Sequence, residues 1–398
     1  MINSNRSLSI GIGGKEAMMS YKSKQELLDA VRLRYYKSTR PQKRRILDEL
    51  EAITGYNRKY LIHLLRHPAQ AHQRRRRRGK SRYTLPVKAA LVQVWRAANC
   101  ICSKRLVPCM GEFVMALERH DELHLDAQTR HLLLEMSPAT ADRLLRSERR
   151  QYKRRGLGTT KPGTLLKQAI PIRTFADWDD LRPGFMEVDL VAHCNDSTGG
   201  EYLHSLVLTD VATAWTECIA LPNRGQKAVS KAIHVARQRF PFPMLGLDSD
   251  NGSEFINANL LRYCQQEHIT FTRSRPYKKN DQAYVEQKNW TVVRQTVGYD
   301  RYEGPLALRQ LQALYKVLRL YVNFFQPVMK LVSKERVGSR VRKKYDIAKT
   351  PYQRVVDVPE VSAETKALLQ QQYLSLNPAA LLRQIHALQE QLWQLAKS

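Results

Sequence analysis

Residues 244–255 read MLGLDSDNGSEF, and residues 280–290 read NDQAYVEQKNW. In the first segment the apolar run Met244–Leu247 stops abruptly at Asp248-Ser249-Asp250-Asn251-Gly252. Asn-Gly is a strong turn signal, so the pattern predicts a buried strand ending in a turn. An amphipathic helix is expected over Ser253–His268, then a β-rich run, Ile269–Thr272, and a polar loop, Arg273–Asp281. A second helix follows over Gln282–Val297, on which Glu286, Trp290, Val293 and Val297 share one stripe. That spacing predicts Glu286 on the apolar, sheet-facing side, where a carboxylate is costly unless something cationic compensates it. The strand before it ends in acids too, Asp248 and Asp250, which share a strand face. Acids placed in this way point to a metal site.

Upstream, Phe185–His193 (FMEVDLVAH) reads as a strand with Asp189 near its middle and Glu187 on the same face. Tyr202–Asp210 and Trp215–Leu221 read as a hairpin, and Gln226–Phe240 as an amphipathic helix. The order is then three strands, helix, strand, helix, strand, helix, with an acid on the first strand, another after the fourth and a third on the last helix. This matches a ribonuclease-H-like arrangement.

The segment resembles the catalytic core of retroviral-type integrases and DDE transposases. The resemblance rests on Asp189, on Asp250 within SDNGSEF and on Glu286 within NDQAYVEQKNW, with 35 residues between the last two acids, the spacing known as D,D-35-E. Over nearly its full length the chain resembles an integrase-type transposase of a bacterial insertion sequence, with residues 160–185 and 343–354 as further matching stretches. The resemblance implies that Asp189, Asp250 and Glu286 are catalytic and hold the metal. Asp250 is preferred to Asp248 because it adjoins Asn-Gly, and Asp189 to Glu187 because Glu187 matches no catalytic position of the family pattern. Asp210, at the end of the second strand, is expected to approach from the side at most.

Charge alone supports the chemistry. Three converging carboxylates repel one another without counter-charge, and oxygen-only ligands suit Mg²⁺ or Mn²⁺. Two such ions, roughly 3.5–4 Å apart, can activate an attacking oxygen and stabilise the leaving oxygen of an in-line phosphodiester displacement. In the implied reaction water frees a 3′-OH at the transposon end, and that 3′-OH then attacks target DNA. Singly, each acid has an ordinary structural reading: a strand solubiliser for Asp189, a turn residue for Asp250, a helix-surface pair for Glu286. Their order and spacing favour the site.

The 398 residues carry a formal net charge of +29, an excess that favours a polyanion, nucleic acid ahead of an anionic membrane. No stretch is long and apolar enough to span a bilayer, and no signal-peptide layout is seen. A soluble protein of a prokaryotic cytoplasm, associated with the nucleoid, is expected. The six cysteines show no disulfide framework and are expected to be reduced.

The expected organisation is multidomain, α plus α/β. Residues 1–20 lack periodicity and are expected to be disordered. Residues 21–73 read as a helix-turn-helix domain, with helices at Tyr21–Tyr36, Pro41–Ile53 and Asn57–Leu65 and a break at Thr54-Gly55. In such a motif Asn57, Arg58 and Lys59 would meet base edges; an ordinary helical hairpin is the plainer reading. Residues 74–83 form a basic linker in which Arg74, Arg75, Arg76, Arg77 and Arg78 would touch phosphates, positioning without specifying sequence. Residues 84–155 read as a second helical DNA-binding domain, with Asp126–Leu134 and Pro138–Leu145 as its paired helices and Ser137 as N-cap. A Gly/Thr/Pro-rich linker, 156–173, precedes the ribonuclease-H-like core, 174–300, in which Lys279 and Lys288 are candidate phosphate contacts.

Residues 301–398 read as basic and mostly helical: a long helix over Leu306–Phe325, then a basic segment at Lys334–Lys344 that could track DNA. The terminal stripe Leu381, Leu382, Ile385, Leu388, Leu392 and Leu395 fits packing on its own domain as well as a subunit contact. The resemblance implies a homo-oligomer on double-stranded DNA. It also raises an N-terminal zinc unit, nearly matched by His63, His67, Cys100 and Cys102. The second pair is Cys-x-Cys, and an arginine run intervenes, so structural zinc is not expected. The functional expectation is a DNA transposase. A DNA-binding regulator on an inactive transposase scaffold and a nuclease that only hydrolyses are the alternatives.

Overall fold

The computed structural model describes residues 19–67, 82–151, 182–274, 282–337 and 340–397. The chain divides into two compact units, with the boundary between Arg82 and Tyr83.

The first unit holds three helices, α1 (Tyr21–Lys37), α2 (Arg40–Thr54) and α3 (Arg58–Arg66). Their ends follow from local chemistry. Ser20 Oγ accepts from the Ser23 amide, and Gln42 Oε1 accepts from the Thr39 amide at the start of α2. Gly55, at φ 67°, ends α2 in the left-handed region that a residue without Cβ enters freely. Leu28, Ile46, Leu47, Leu50, Leu61 and Leu65 close a small apolar core.

The second unit begins with α4 (Leu85–Ala97), α5 (Ser103–Leu106), α6 (Met110–Arg119), α7 (Ala127–Leu134), α8 (Pro138–Leu144) and α9 (Arg146–Gln151). Ser137 caps α8 as expected, its Oγ accepting from the Thr140 amide. The central sheet follows: β1 (Phe185–Ala192), β2 (His204–Asp210), β3 (Thr216–Leu221), α10 (Gln226–Arg237), β4 (Gly246–Ser249), α11 (Ala258–Gln266) and β5 (Thr270–Arg273). Strand order is β3-β2-β1-β4-β5, with β1, β2 and β3 antiparallel and β4 and β5 parallel to β1. This is the ribonuclease-H-like mixed sheet. After it come α12 (Ala283–Lys288), a π-helical turn over Asn289–Arg294, α13 (Gln295–Val297) and α14 (Gly304–Phe325). The chain ends with β6 (Leu331–Val337), β7 (Arg340–Tyr345), α15 (Pro351–Asp357), α16 (Ala363–Ser375) and α17 (Pro378–Trp393).

One expectation changes here. The helices of 84–151 do not form a separate domain. One continuous apolar core runs from Val87 and Trp95 through Phe113, Val188 and Leu206 to Phe324 and Leu392. Tyr321 on α14 donates to the Ala97 carbonyl at 2.7 Å. The helical layer is therefore part of the body that carries the sheet. The C-terminal region is mostly helical, as expected, and residues 331–337 and 340–345 add a two-stranded antiparallel ribbon, β6–β7. The terminal stripe packs inward, with Leu381, Ile385 and Leu392 buried and Gln389 Nε2 donating to the Thr296 carbonyl at 2.7 Å.

A polar lock holds α14 against the sheet edge. Glu217 on β3, with no exposed surface, accepts two hydrogen bonds from Arg319 at 2.8 Å and one from Trp215 Nε1 at 3.0 Å. A buried pair of this kind adds little net stability over an apolar pair, but removing one partner leaves an uncompensated charge.

Candidate active site

Strand alternation puts Glu187 and Asp189 on one face of β1. The parallel register then sets Asp248 of β4 beside Glu187, and Thr272 of β5 beside Asp248. Asp248 is buried and accepts from Thr272 Oγ1 at 2.6 Å, so it ties β4 to β5. Asp250 lies just past the end of β4, half-buried, with its Oδ1 accepting from the Gly252 amide at 2.9 Å. That turn is fastened to β5 by Arg273, which donates to Asn251 Oδ1, and by Asn251 Nδ2, which donates to the Ser274 carbonyl.

The helix carrying Glu286 is seated by Glu187. Its Oε2 accepts from the amides of Tyr284 and Val285, each at 2.9 Å, which are among the first N–H groups of α12 and have no intrahelical partner. An acid at a helix N-terminus also meets the positive end of the helix dipole. Three residues beyond Glu286, Asn289 Nδ2 donates to Asp189 Oδ2 at 2.6 Å, while the Leu190 amide donates to Asp189 Oδ1 at 2.7 Å.

Glu286 itself is exposed, and Trp290 is 44 % exposed, so the first half of the expected stripe faces outward while Val293 and Val297 are buried. Ahead of Val293 the inner face is held by Val285, Lys288 and Val292. The cause is the π-helical turn. Its i→i+5 bonding fits an extra residue into the turn, so the phase inferred back from Val293 and Val297 to Glu286 is lost.

The Asp189 carboxyl is within electrostatic reach of both Asp250 and Glu286. Burial, then the Asp250 charge, push the Asp189 carboxyl up to about 7, with Glu286 adding to the rise and the Leu190 and Asn289 hydrogen bonds opposing it. Burial also raises Asp250, against the Gly252 N–H, and Glu254 adds to it. Such a set is short of positive charge. By donor type it fits a hard divalent cation, though among the described residues no three His, Cys, Asp or Glu side chains stand close enough together to hold one.

The other candidates fall elsewhere. Asp210 is fully buried and spent on structure, accepting from the Gly184 amide and from the amide and hydroxyl of Thr213. Lys288 is buried, and desolvation, with Arg105 and Arg354 nearby, pulls its ammonium down to about 8; it is not placed for a phosphate at the surface. Asn57 uses its side chain to cap α3 by accepting from the Lys59 amide, Arg58 folds back onto Asp48 of α2, and Lys59 is exposed. His63 and His67 meet at the end of α3 with ring centres 4.7 Å apart and planes tilted by 44°, and Cys100 and Cys102 lie in the turn between α4 and α5. Arg74, Arg75, Arg76, Arg77, Arg78 and Lys279 lie outside the described residues, as do the linker 156–173 and residues 1–18.

Glu187 and Asn289 were not anticipated in these roles. Asn289 had a usable signal, its i+3 spacing from Glu286, which places the two on neighbouring positions of one helix. Glu187 had none without knowing where α12 docks.

Residues 180–279 match the integrase core domain family. The chain is also 45 % identical over 330 residues to an uncharacterised protein, y4rM, of Sinorhizobium fredii, a match covering 82 % of this chain and 93 % of that one. The chain belongs to the integrase-type family. Two solved integrase structures align with it. The catalytic core domain of BIV integrase matches at 21 % identity and a TM-score of 0.28, over 43 % of this chain and 91 % of the other. The catalytic core domain of HTLV-2 integrase, in complex with magnesium and in a dimeric form, matches at 15 % and 0.29, over 38 % and 93 %. In this integrase-type chain the match to the core domain spans β1 through β5 and stops just short of α12.

Proposed function

We propose that this chain is a DNA transposase that cleaves transposon ends and joins the freed 3′-OH to target DNA. The observation that carries the reading is that Asp189, on the first strand of an integrase-type sheet, lies within electrostatic reach of both Asp250 and Glu286. Mg²⁺ or Mn²⁺ bound by these acids would supply the charge that activates the attacking oxygen and stabilises the leaving one. Glu187 sets the position of α12 and so of Glu286, and Asn289 fixes the orientation of the Asp189 carboxylate. The excess of Lys and Arg draws in double-stranded DNA at long range. Two DNA ends must be held at once for joining, which calls for a homo-oligomer. Among the described residues no helix is long and apolar enough to cross a membrane, in keeping with action on DNA in the cytoplasm.

The test is a strand-transfer assay with labelled element ends, a target plasmid, and Mg²⁺, Mn²⁺ or chelator. Metal-dependent joined product that disappears with Glu286→Gln supports the reading. Cutting without joining replaces it with a nuclease, and end binding with neither reaction replaces it with a regulator.

A further inference from the structure

We infer that the β6–β7 ribbon is a DNA-binding element that lies in the groove of the duplex next to the cleaved position; the inference rests on the proposed reading that this chain acts on DNA. Residues 331–345 read LVSKERVGSRVRKKY, with six Lys or Arg and a single acid. Among the described residues no third strand pairs with the ribbon, so each strand keeps an open edge there. Such a hairpin is marginal by itself in water. Its described side chains do not bury it: Leu331, Val332, Val341 and Tyr345 are exposed, as are Arg342, Lys343 and Lys344.

Arg342, Lys343 and Lys344 follow one another on β7, all exposed, and like charges this close repel. A polyanion turns that cost into attraction. The open edges do not favour a third strand from another copy, because lysine on an edge strand is a common block to such pairing. A two-stranded ribbon has the width that the DNA major groove admits.

Position supplies the second argument. The ribbon is rooted in the same body as the acids. The Lys330 amide donates to Asp346 Oδ1 at 2.6 Å, and the Asp346 amide returns a bond to the Lys330 carbonyl at 3.0 Å. Arg354 pairs with Asp346 at 2.8 Å and donates to the Val328 carbonyl. Lys330 Nζ donates to the Ala212 carbonyl and lies 5.9 Å from the centre of the Tyr284 ring, two residues ahead of Glu286. Duplex held at the acids thus passes the foot of the ribbon. The seven residues of β6 extend about 20 Å, at about 3.4 Å each. At about 3.4 Å per base pair that is about six pairs of flanking DNA.

The experiment uses the full chain and duplex DNA carrying an element end, with affinity measured from 50 to 200 mM salt. The variant Arg342→Gln/Lys343→Gln/Lys344→Gln is compared with Lys227→Gln/Lys231→Gln/Arg262→Gln, an equal charge loss at exposed positions of α10 and α11. The ribbon variant should lower the salt slope by about 2 to 3, at about 0.9 per phosphate contact, and weaken binding at 0.1 M salt at least tenfold. The control should keep the wild-type slope. An unchanged slope in the ribbon variant overturns the inference, and so does an equal drop in both, since binding would then follow net charge alone. Lost self-association with unaltered DNA affinity also overturns it, by making the ribbon a subunit contact. A wild-type chain without salt-dependent duplex binding would bring down the transposase reading itself.

Discussion

Oε2 of Glu187 stands 2.9 Å from the backbone nitrogen of Val285, joining the first strand of the sheet to the helix that presents Glu286. The same oxygen accepts from the Tyr284 amide. A residue 97 positions away in sequence from Tyr284 therefore caps its helix.

Glu187→Ala leaves two helix-terminal N–H groups without their acceptor, at a cost of about 1–3 kcal/mol for each group that stays buried. Strand transfer should fall at least tenfold, and Tm should drop. Glu187→Gln keeps an acceptor and loses only the charge at the helix end, about 0.3–1 kcal/mol, so it should recover most of the activity. Full activity in Glu187→Ala would mean that α12 is placed by other contacts.

The three acids make a sharper demand. Asp189→Asn, Asp250→Asn and Glu286→Gln should each reduce joined product to background, while affinity for an end-bearing duplex stays within about twofold, since one charge changes little of the phosphate attraction. Filter binding and strand transfer on the same preparations separate the two quantities. Weakened binding with normal cleavage in any variant would remove that residue from the assignment.

Acid–base linkage adds a stability signature. The folded-state pKa of Asp189, about 7, exceeds the ordinary aspartate value of about 3.9. The folded chain then binds this proton more tightly than the unfolded chain, so stability falls as pH rises between those values. In metal-free buffer Asp189→Asn, which carries no charge to bury, should melt higher than wild type at pH 8 by about 2 °C or more and match it near pH 4. Adding Mg²⁺ should narrow the gap at pH 8 by stabilising wild type alone. A wild type that melts as high as the variant at pH 8 without metal would show that the carboxylate is not under strain.

The lock at the sheet edge is structural. Glu217→Ala should destabilise by about 3–5 kcal/mol, because the Arg319 guanidinium is left half-enclosed without its partner. Chemical denaturation would read the loss, and affinity for duplex should be unchanged below the melting range.

Much of the core was legible. Alternation in FMEVDLVAH and the Asp-Asn-Gly turn after Leu247 located β1 and the mouth of β4, because strand period and turn chemistry are local properties. The face of Glu286 was not. It depends on a π-helical turn, and Trp290, a large apolar residue left exposed, pulled the inferred stripe off by its bulk. The supposed boundary ahead of the core failed for another reason. Basic Arg149–Arg155 reads like the edge of a domain, but what decides is packing between residues as distant as Ala97 and Tyr321. In the ribbon, cations at alternate positions hide the apolar period, and Gly338-Ser339, a two-residue turn signal, stands within a run that charge makes look like solvated coil.

The shared core has a practical edge. A fragment cut to residues 174–300 would bare the apolar faces that meet Trp95, Phe113, Phe324 and Leu392, and should precipitate. A fragment beginning at Tyr83 leaves those faces covered. Exchange of segments among related chains would meet the same grain: a joint near residue 83 passes on a whole folding unit, and one near residue 174 splits it.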